Sequence, residues 1–500
     1  MDALDVETSI AEGAQVLQAL ITLVRANAGT LEAHEAEKGL FTRLRPMGLA
    51  ALKLDFAQRG TGEVGPAITR ADGVMRPREQ QLRGRVDFSR FGPFAVPRTC
   101  SRTPRDPGIC PLEAQVTFPE RCYSSCLPEG MTVFAVEHPF QESSSWFEPL
   151  VDLEVAESVL MAVAKEAPAD DEAFYAQRPL PQEASEGELL VVSVDGKGVP
   201  MMKAEAVKLK AKWGTGEKRQ KQKEALVGVS STVDAQPRAP EARAELLVEP
   251  EAARARQPRE GATDEAPRAQ QVRRLARLGR TKQAVMALLK ADAERRDPQH
   301  RKPLVVRLDG ALGRWPLATK GFKAWKRVTF VLDIMPVVGD LWSAANARCG
   351  EASTAGKPWV QQKLTAIRRG RVGDVIGGLR PILTKQPRRK LVQETLANVI
   401  TFFHTHRRWL HDDAYLAAGL PVGTGVVESA CGSVVKPRME GEGKRWSLEG
   451  AEAILTRRSL KKSHDHDLRD SWKFHARQVR GRLYGHKPKY RPMPRLRRVA

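Results

Sequence analysis

The chain has 500 residues, of which 41% are hydrophobic, so it is long enough to bury the cores of roughly two to four domains. Its 81 Lys and Arg residues exceed its 60 Asp and Glu residues, and the resulting net charge of +21 favours a polyanionic partner. No run of about 18 apolar residues and no signal-peptide pattern occurs, which excludes a membrane-spanning protein from the expected classes.

The N-terminal part of the chain carries apolar residues at helical spacing. Leu17, Leu20 and Val24 belong to this pattern, which predicts a helical unit over residues 1–75. Within a Cys-containing module and linker over residues 76–185, short apolar runs punctuated by Pro and Gly extend to about residue 150, and a helix is expected over 150–166. This pattern predicts a small β-containing module, a candidate for DNA binding, followed by a Pro- and Glu-rich linker.

Four of the six cysteines lie in this module, at Cys100, Cys110, Cys122 and Cys126. In a reducing cytosol we do not expect a disulfide framework. A zinc ion and unligated thiols in a loop-rich module are the two alternatives that the spacing leaves open. The paired C-x2-C knuckles that are typical of zinc ribbons are absent, which favours unligated thiols.

Two buried-looking strands further along the chain each end in an Asp-Gly pair. The run that begins at Leu189 leads into Asp195, and the run that begins at Leu304 leads into Asp309. A continuous β-branched run is typical of a strand that is covered on both faces. A carboxylate at its end costs desolvation energy unless it binds a cation or finds donors. The pair predicts half of a divalent-metal site, whereas capping of a turn is the alternative for either residue alone.

The surrounding pattern predicts an α/β domain over residues 186–470. A helix is expected over the apolar residues from Val272 to Leu289, and a mainly helical insertion over about 335–420. A Gly-rich turn then opens a helix that carries Glu428. Two aspartates and a distant glutamate in this order suggest the acidic triad of an RNase H-like phosphoryl-transfer enzyme. Further strands are expected at 207–209, 225–230 and 328–332.

Four longer stretches resemble bacterial insertion-sequence transposases of the ISKra family, which are relatives of the Mutator-like DDE enzymes. They read VVSVDGKGVPM, LDGALGRW, FVLDIMPVVGDLW and GTGVVESACGSVVKPRMEGEGKRWSLEGAEAIL. The resemblance extends from about residue 85 to the basic C-terminal part. It implies an RNase H-like core in which Asp195, Asp309 and Glu428 bind two Mg²⁺ ions, for which Mn²⁺ can substitute. The implied activity is DNA strand cleavage and strand transfer of the element itself.

Asp333 competes with Asp309 for the second metal-ligand position, because it also ends a predicted strand. In the Mutator-like relatives an Asp- or Cys-x2-His signature follows the second catalytic Asp by about two dozen residues. Asp333 stands at about that distance after Asp309, so we assign the metal to Asp309 and the accessory signature to Asp333. Pro336 occupies the place where the family pattern has His.

Three further departures suggest a weakened or inactive copy of the enzyme. Arg307 lies inside a predicted strand, where an unpaired charge is costly to bury. Gly339-Asp340 interrupts an apolar helix face, and Pro437 follows Glu428 within a predicted helix. A proline there removes a backbone hydrogen bond at a cost of about 3 kcal/mol.

Basic stretches supply the expected DNA contacts. One lies within residues 203–223, and a second, with an aromatic residue, follows Glu428. Trp446 is either a base-stacking residue or an ordinary core Trp. A third stretch is expected as a basic C-terminal tail over residues 471–500. The predicted DNA-binding residues are Lys208, Lys210, Lys212, Lys218, Arg219, Lys436, Arg438, Lys444, Arg445 and Trp446.

A group of histidines at His404, His406 and His411 has the composition of a metal centre. On a helix, however, the first two point about 160° apart and cannot chelate one ion. A surface or DNA-facing helix is the better interpretation.

The leading hypothesis is therefore a DDE transposase that acts on the terminal inverted repeats of its element and on target DNA, as a homo-oligomer, in the bacterial cytoplasm near the nucleoid. The alternatives are a DNA-binding relative without catalysis and an RNase H-like nuclease without strand transfer.

Overall fold

The structure, a computed structural model, divides into two compact units, Met1–Ala176 with Leu468–Ala500, and Gln177–Asp467. None of the helices described is long and apolar enough to span a membrane. The structure describes residues 3–26, 30–69, 73–105, 108–118, 121–124, 126–151, 153–207, 209, 221–241, 244–248, 268–351, 353–385, 390–423, 425–441, 443–464 and 468–484.

The first unit combines helices with two antiparallel hairpins. Its strands are β1 (Ala67–Thr69), β2 (Met75–Pro77), β3 (Arg83–Ser89) and β4 (Gly92–Arg98). Its helices are α1 (Val6–Ala26), α2 (Ala33–Arg59), α3 (Pro111–Val116), α4 (Cys126–Glu137), α5 (Phe140–Val151), α6 (Glu157–Glu166), α7 (Asp171–Gln177) and a last helix, Leu468–Tyr484, which is α20 in chain order.

Helices α1 and α2 confirm the predicted helical N-terminal pattern. The predicted β-containing module holds the β3–β4 hairpin, in which Arg83 pairs with Arg98 and Ser89 with Gly92. From Pro111 onwards, the described part of that module is mainly helical. The hairpin and α2 share a small aromatic core, formed by Phe56, Phe94, Val96, Leu112 and Phe118.

A disulfide joins Cys100 to Cys110, so the expectation that no cysteines pair is wrong for these two. The reason is local, because Ser101 and Ile109 exchange both backbone hydrogen bonds and bring the flanking residues together. Cys122 and Cys126 are exposed free thiols. Among the described residues no three metal-ligating side chains are grouped, and the four cysteines of this module do not form a zinc site.

Helix α20 corrects the prediction of a tail that starts at residue 471. The Nδ1 atom of its His475 donates a 2.7 Å hydrogen bond to Asp170, and Arg482 donates two to the same carboxylate, at 2.7 and 2.9 Å. Ser471 donates to Asp171 at 2.8 Å. These contacts fix the helix to the segment before α7. The predicted tail beyond residue 484 lies outside the described residues.

The second unit has one five-stranded sheet with helices on both faces. Its strands are β5 (Leu189–Pro200), β6 (Gln222–Val233), β7 (Gln270–Arg277), β8 (Leu304–Leu308) and β9 (Val328–Leu332). Its helices are α8 (Lys203–Ala206), α9 (Ala244–Val248), α10 (Lys282–Arg296), α11 (Trp315–Phe322), α12 (Ile334–Cys349), α13 (Gly356–Arg368), α14 (Val372–Lys385), α15 (Lys390–His406), α16 (Asp412–Ala417), α17 (Gly425–Ala430), α18 (Lys436–Met439) and α19 (Leu448–Lys461).

The sheet has the strand order β7-β6-β5-β8-β9. Strands β5, β6 and β7 pair antiparallel, whereas β8 pairs parallel with β5 and β9 parallel with β8. The unit is therefore a mixed α/β structure, which confirms the predicted class at this level. Helices α12 to α16 lie where a mainly helical stretch is predicted, over about 335–420, and its interpretation as an insertion stays a prediction.

Alternation along the strands separates two cores. Leu190, Val192 and Val194 on β5 face the larger core, together with Val306 and Leu308 on β8. The residues between them face a smaller core on the opposite side of the sheet. That core contains Leu189, Val191, Val305, Val331, Tyr415, Leu416, Leu420 and Val422.

Two predicted elements are wrong. Residues 207 and 209 are not in a strand, and the third strand of the sheet is β7, which takes up Val272 and Leu275 of the predicted helix. Helix α10 starts only at Lys282, after the N-cap Thr281. The spacing of the apolar residues suits a helix, but β7 pairs antiparallel with β6, and tertiary pairing outweighs a local pattern of this kind.

Candidate active site

Asp195 and Asp309 lie next to each other on neighbouring parallel strands. Val194 pairs with Leu308, and each aspartate is the next residue along its chain. Both belong to the alternating series that faces the smaller core. The two carboxylates are therefore neighbours, as expected, but only Asp309 follows the end of its strand, because β5 continues past Asp195 to Pro200 along β6.

The guanidinium of Arg314 lies between the two carboxylates. Its Nη1 is 3.6 Å from Asp195 Oδ1 and forms an ion pair with Asp309 Oδ2. Its Nη2 donates to Glu224 on β6. Glu224 also binds Lys282, at 2.7 Å. Arg314 is only 2% exposed, so this network is a buried one.

Gly196 makes room for this arrangement. A Cβ atom at this position would collide with Arg314 Nη2 and with the carboxylate of Glu224. The glycine is therefore needed for close approach of an arginine, while the two aspartates also make the local contacts of the alternative, since Asp195 Oδ1 accepts from Gly196 N–H at 2.6 Å and Asp309 Oδ1 from Ala311 N–H at 3.3 Å.

Burial and neighbouring charges shift the pKa values of Asp309 and Glu224. Burial raises the pKa of Asp309; the charge of Arg314 opposes this change, and the nearby Asp195 adds to it. Burial acts to raise the pKa of Glu224 as well, but the hydrogen bond from Lys282 and the charge of Arg314 outweigh it and lower that pKa.

Glu428 is exposed on α17, which packs against β5 and β6. One turn later, the thiol of Cys431 donates to Asp195 Oδ2 at 3.6 Å. Burial, followed by Asp195, raises the pKa of Cys431 to about 12, so the thiol keeps its proton. Positions 428 and 431 lie on the same face of a helix. In the described ranges, however, no three carboxylate, His or Cys side chains are grouped closely enough to hold a metal ion, so the part of Glu428 in the triad stays a prediction.

Arg307 corrects the expectation of an unpaired buried charge. It is 3% exposed, and it donates to Ser193 Oγ on β5 at 2.7 and 3.0 Å. Its Nη1 donates to the backbone carbonyl of Gly423. Burial lowers the pKa of Arg307 to about 10, and the charge of Asp333 opposes that change. Arg307 therefore ties the sheet to the Gly-rich turn that precedes α17.

Asp333 is the N-cap of α12. Its carboxylate accepts a 3.0 Å hydrogen bond from the backbone N–H of Met335, and its charge faces Arg307. Arg314 contacts Asp309 and Asp195, whereas the contacts described for Asp333 are the helix cap and the charge of Arg307. The geometry favours Asp309 as the partner of Asp195.

The two prolines do not weaken their helices in the way that the sequence suggests. Pro336 is in the first turn of α12, where backbone N–H groups have no intrahelical partner. Pro437 follows a π-helical segment, Cys431–Val435, and the carbonyl of Ser433, four residues before it, accepts a 2.6 Å hydrogen bond from Arg458. Arg458 thus replaces the hydrogen bond that Pro437 cannot make.

The predicted DNA-binding residues fall into three groups. Lys208, Lys210, Lys212, Lys218 and Arg219 lie outside the described residues. Lys436 and Arg445 are exposed and Lys444 is half-buried. Arg438 and Trp446 are corrected to core residues, since they are 2% and 6% exposed and stack on each other at 4.7 Å. The indole Nε1–H of Trp446 donates to the carbonyl of Met439 at 3.3 Å.

His406 is also buried, which corrects the predicted surface position. Its Nδ1 lies 2.8 Å from the carbonyl of Phe402, and its ring lies 5.8 Å from that of Trp409. Trp409 stacks on Trp315, whose Nε1–H donates to the carbonyl of Asp309 at 3.0 Å. This aromatic group therefore supports the backbone of the second aspartate. His404 and His411 are exposed.

The donor set of Asp195 and Asp309 fits a divalent cation. Hard cations prefer carboxylate oxygens, and the shared position of Arg314 shows that the pair holds a positive charge. Sequence analysis missed Arg314, Glu224 and Cys431. For Arg314 and Cys431 the signal was their place in or beside the motifs, since Arg314 lies in LDGALGRW and Cys431 follows Glu428. Glu224 lies outside the four quoted motifs.

No protein-family model matches the chain, and no curated protein matches it. Among solved structures, the chain is similar to one described as the Drosophila P element transposase strand transfer complex, at 8% identity and a TM-score of 0.25. The match covers 74% of this chain and 95% of that one. A likeness this weak carries no argument about fold or activity, and the resemblance to the ISKra family stays a prediction from the sequence motifs.

Proposed function

We propose that this chain is a metal-dependent DDE transposase of the ISKra type, with an RNase H-like core, that cleaves and joins DNA strands at the ends of its own insertion sequence. The observation that carries the proposal is the position of Asp195, within β5, beside Asp309, directly after the end of the adjacent parallel strand β8, with the buried guanidinium of Arg314 between them.

The topology of the sheet supports an RNase H-like core. Numbered from β5, the strands have the spatial order third, second, first, fourth, fifth. The first three are antiparallel, and the last two run parallel to the first. This is the arrangement of the RNase H-like sheet, in which the first and fourth strands carry the catalytic carboxylates.

In this proposal Asp195, Asp309 and Glu428 hold the metal ions. Bound Mg²⁺ would activate water or a 3′-hydroxyl and stabilise the departing oxyanion in phosphodiester cleavage. The protonated thiol of Cys431 orients the Asp195 carboxylate through its Oδ2 atom. Arg307 holds the turn before α17, and therefore the start of the helix that carries Glu428.

DNA is the proposed partner, because the chain carries a net charge of +21 and basic residues lie close in sequence to Glu428. The exposed side chains of Lys436 and Arg445 are available for phosphate contacts. Assembly of several copies on the element ends is part of the same proposal.

The test is a cleavage and joining assay with Mg²⁺ on DNA that carries the inverted repeats flanking the coding sequence. The unmodified chain is compared with Asp195→Asn, Asp309→Asn and the matched control Asp333→Asn, whose amide oxygen can still cap α12. We expect the first two variants to lose cleavage by at least about 100-fold while DNA binding is retained, because their carboxylates serve chemistry rather than positioning.

The control variant should keep most of its activity. Cleavage without joined products would support a nuclease, and DNA binding without any cleavage by the unmodified chain would support a non-catalytic relative. Loss of activity in Asp333→Asn with full activity in Asp309→Asn would contradict the assignment of the second carboxylate.

A further inference from the structure

We propose that Arg314 is an internal counter-ion, which neutralises Asp195 and Asp309 when no metal is bound and competes with a divalent cation for them. The inference rests on the proposed function, because it names the residue that regulates cation binding at the same two carboxylates. It assigns Arg314 a positioning role in a site where the sequence motifs point only to acidic residues.

The contacts of Arg314 with the aspartates are mainly electrostatic. Nη1 forms an ion pair with Asp309 and lies 3.6 Å from Asp195, and Nε is buried without a hydrogen-bond partner. Nη2, in contrast, does donate a hydrogen bond to Glu224. Arg314 is therefore held by Glu224 and is shared, less specifically, between the two aspartates.

The carboxylates need such a charge. Two carboxylates that lie close together and are partly buried destabilise each other when both are ionised. A guanidinium between the two carboxylates reduces the repulsion and allows both to be ionised before a metal ion arrives.

Arg314 can leave the aspartates without losing all of its partners. Glu224 has one oxygen paired with Arg314 and the other with Lys282, so it can retain the guanidinium through Nη2. A cation that binds Asp195 and Asp309 must overcome only the shared Nη1 contacts. The expected consequence is a metal affinity that is weakened, but not abolished, by Arg314.

Lys282 offers a matched control. Like Arg314, it pairs with Glu224, but its described ion pair does not involve either aspartate. Arg314→Gln and Lys282→Gln therefore each remove one positive charge from the same network, and only the first removes the charge between Asp195 and Asp309.

The experiment is a calorimetric titration of the full chain with Mn²⁺, together with thermal unfolding with and without the ion. We expect Arg314→Gln to unfold at a lower temperature than the unmodified chain without metal, to bind Mn²⁺ at least about tenfold more tightly, and to show a larger metal-induced rise in Tm. Lys282→Gln should bind Mn²⁺ with an unchanged Kd.

Arg314→Lys keeps a charge that cannot fork between two partners. Its Kd for Mn²⁺ should lie between those of the unmodified chain and Arg314→Gln. If Arg314→Gln does not fold, Arg314→Lys still tests the proposal, because its Kd should be lower than that of the unmodified chain. Equal or weaker Mn²⁺ binding by folded Arg314→Gln, with binding that still disappears in Asp195→Asn, would overturn the role of Arg314 and leave the proposed function standing. Absence of Mn²⁺ binding in every one of these chains would overturn both.

Discussion

At the scale of single residues, buried charges acquire partners that the sequence does not reveal. Arg307 reads as an interruption of an apolar strand, but Ser193 and Gly423 both accept hydrogen bonds from it. The partners are distant in the chain, and one of them is a backbone atom. No pattern of residue types along the sequence predicts such a contact, although the strand itself is predictable from its β-branched residues.

Replacing Arg307 by Met should destabilise the chain by about 3 kcal/mol, because it removes the buried charge that faces Asp333 and leaves the Gly423 carbonyl without the Arg307 donor. Hydrogen exchange should also accelerate in residues 425–430, whose preceding turn Arg307 holds. Urea unfolding and exchange measured by mass spectrometry check both effects. Arg307→Lys retains the charge and should be intermediate; a neutral effect of Arg307→Met would show that the turn is held by other contacts.

Asp412 provides a prediction for pH. It is buried, its two carboxylate oxygens have no hydrogen-bond partner, and burial raises its pKa to about 7, with the charge of Arg368 opposing and Asp413 adding to the shift. A folded-state pKa above the unfolded value means that the folded chain binds the proton more tightly. This group therefore lowers stability progressively as pH rises from about 4 to about 7, and its penalty is complete above that range.

Asp412→Asn should consequently raise the Tm by several degrees at pH 8 and have little effect near pH 4, as followed by circular dichroism. Asp413→Asn, a change at the exposed neighbour, is the control and should leave the Tm nearly constant at both values. A destabilising Asp412→Asn at pH 8 would mean that the ionised carboxylate has a stabilising partner in solution.

At the scale of elements, the candidate site is formed by β5, the end of β8, and α17 with the π-helical segment that follows it. The strands β5, β8 and β9 were predictable, since each is a short apolar run before an aspartate. Strand β7 was not, because its Arg-rich sequence has no strand pattern and forms a strand only by pairing with β6. The π-helical segment before Pro437 could not be predicted either, because its compensation comes from α19.

Arg458 and Pro437 should show energetic coupling. Arg458→Met leaves the carbonyls of Ser433 and Val434 without their donor and should cost about 2 kcal/mol. In a chain with Pro437→Ala, the new N–H can reach the Ser433 carbonyl, so the same change should cost about 1 kcal/mol less. A double-mutant cycle of urea unfolding measures the difference. Strictly additive effects would show that Arg458 does not compensate for the proline.

At the scale of the whole molecule, the two units differ in how well the sequence predicted them. In Gln177–Asp467, the apolar runs before Asp195, Asp309 and Asp333 predict β5, β8 and β9, whereas β7 is formed in part by residues that were predicted to be helical. The other unit brings its last helix, Leu468–Tyr484, against residues near 170, a contact across about 300 residues of chain that local patterns do not indicate. For this reason residues 471–484, which the sequence assigns to a tail, in fact belong to a helix with a structural role.

DNA affinity should depend steeply on salt, with a log–log slope of about −0.9 for each phosphate neutralised. Removing residues 485–500, which carry six Lys and Arg residues, namely Lys487, Lys489, Arg491, Arg495, Arg497 and Arg498, should reduce both the affinity and the slope. This deletion leaves α20 intact, whereas a deletion from residue 457 would remove α20 and the buried Arg458. Fluorescence anisotropy at several salt concentrations checks the effect, and equal slopes would show that these residues do not contact DNA.

In the proposed site, Asp195 and Asp309 bind the same divalent ion. The most direct measurement is the anomalous scattering of Mn²⁺ in crystals of the full chain soaked with the ion. We expect a peak at about 2.0–2.6 Å from a carboxylate oxygen of each aspartate, with the Arg314 guanidinium displaced from Nη1 contact with them. A Mn²⁺ peak at Asp333 and none between Asp195 and Asp309 would contradict the account.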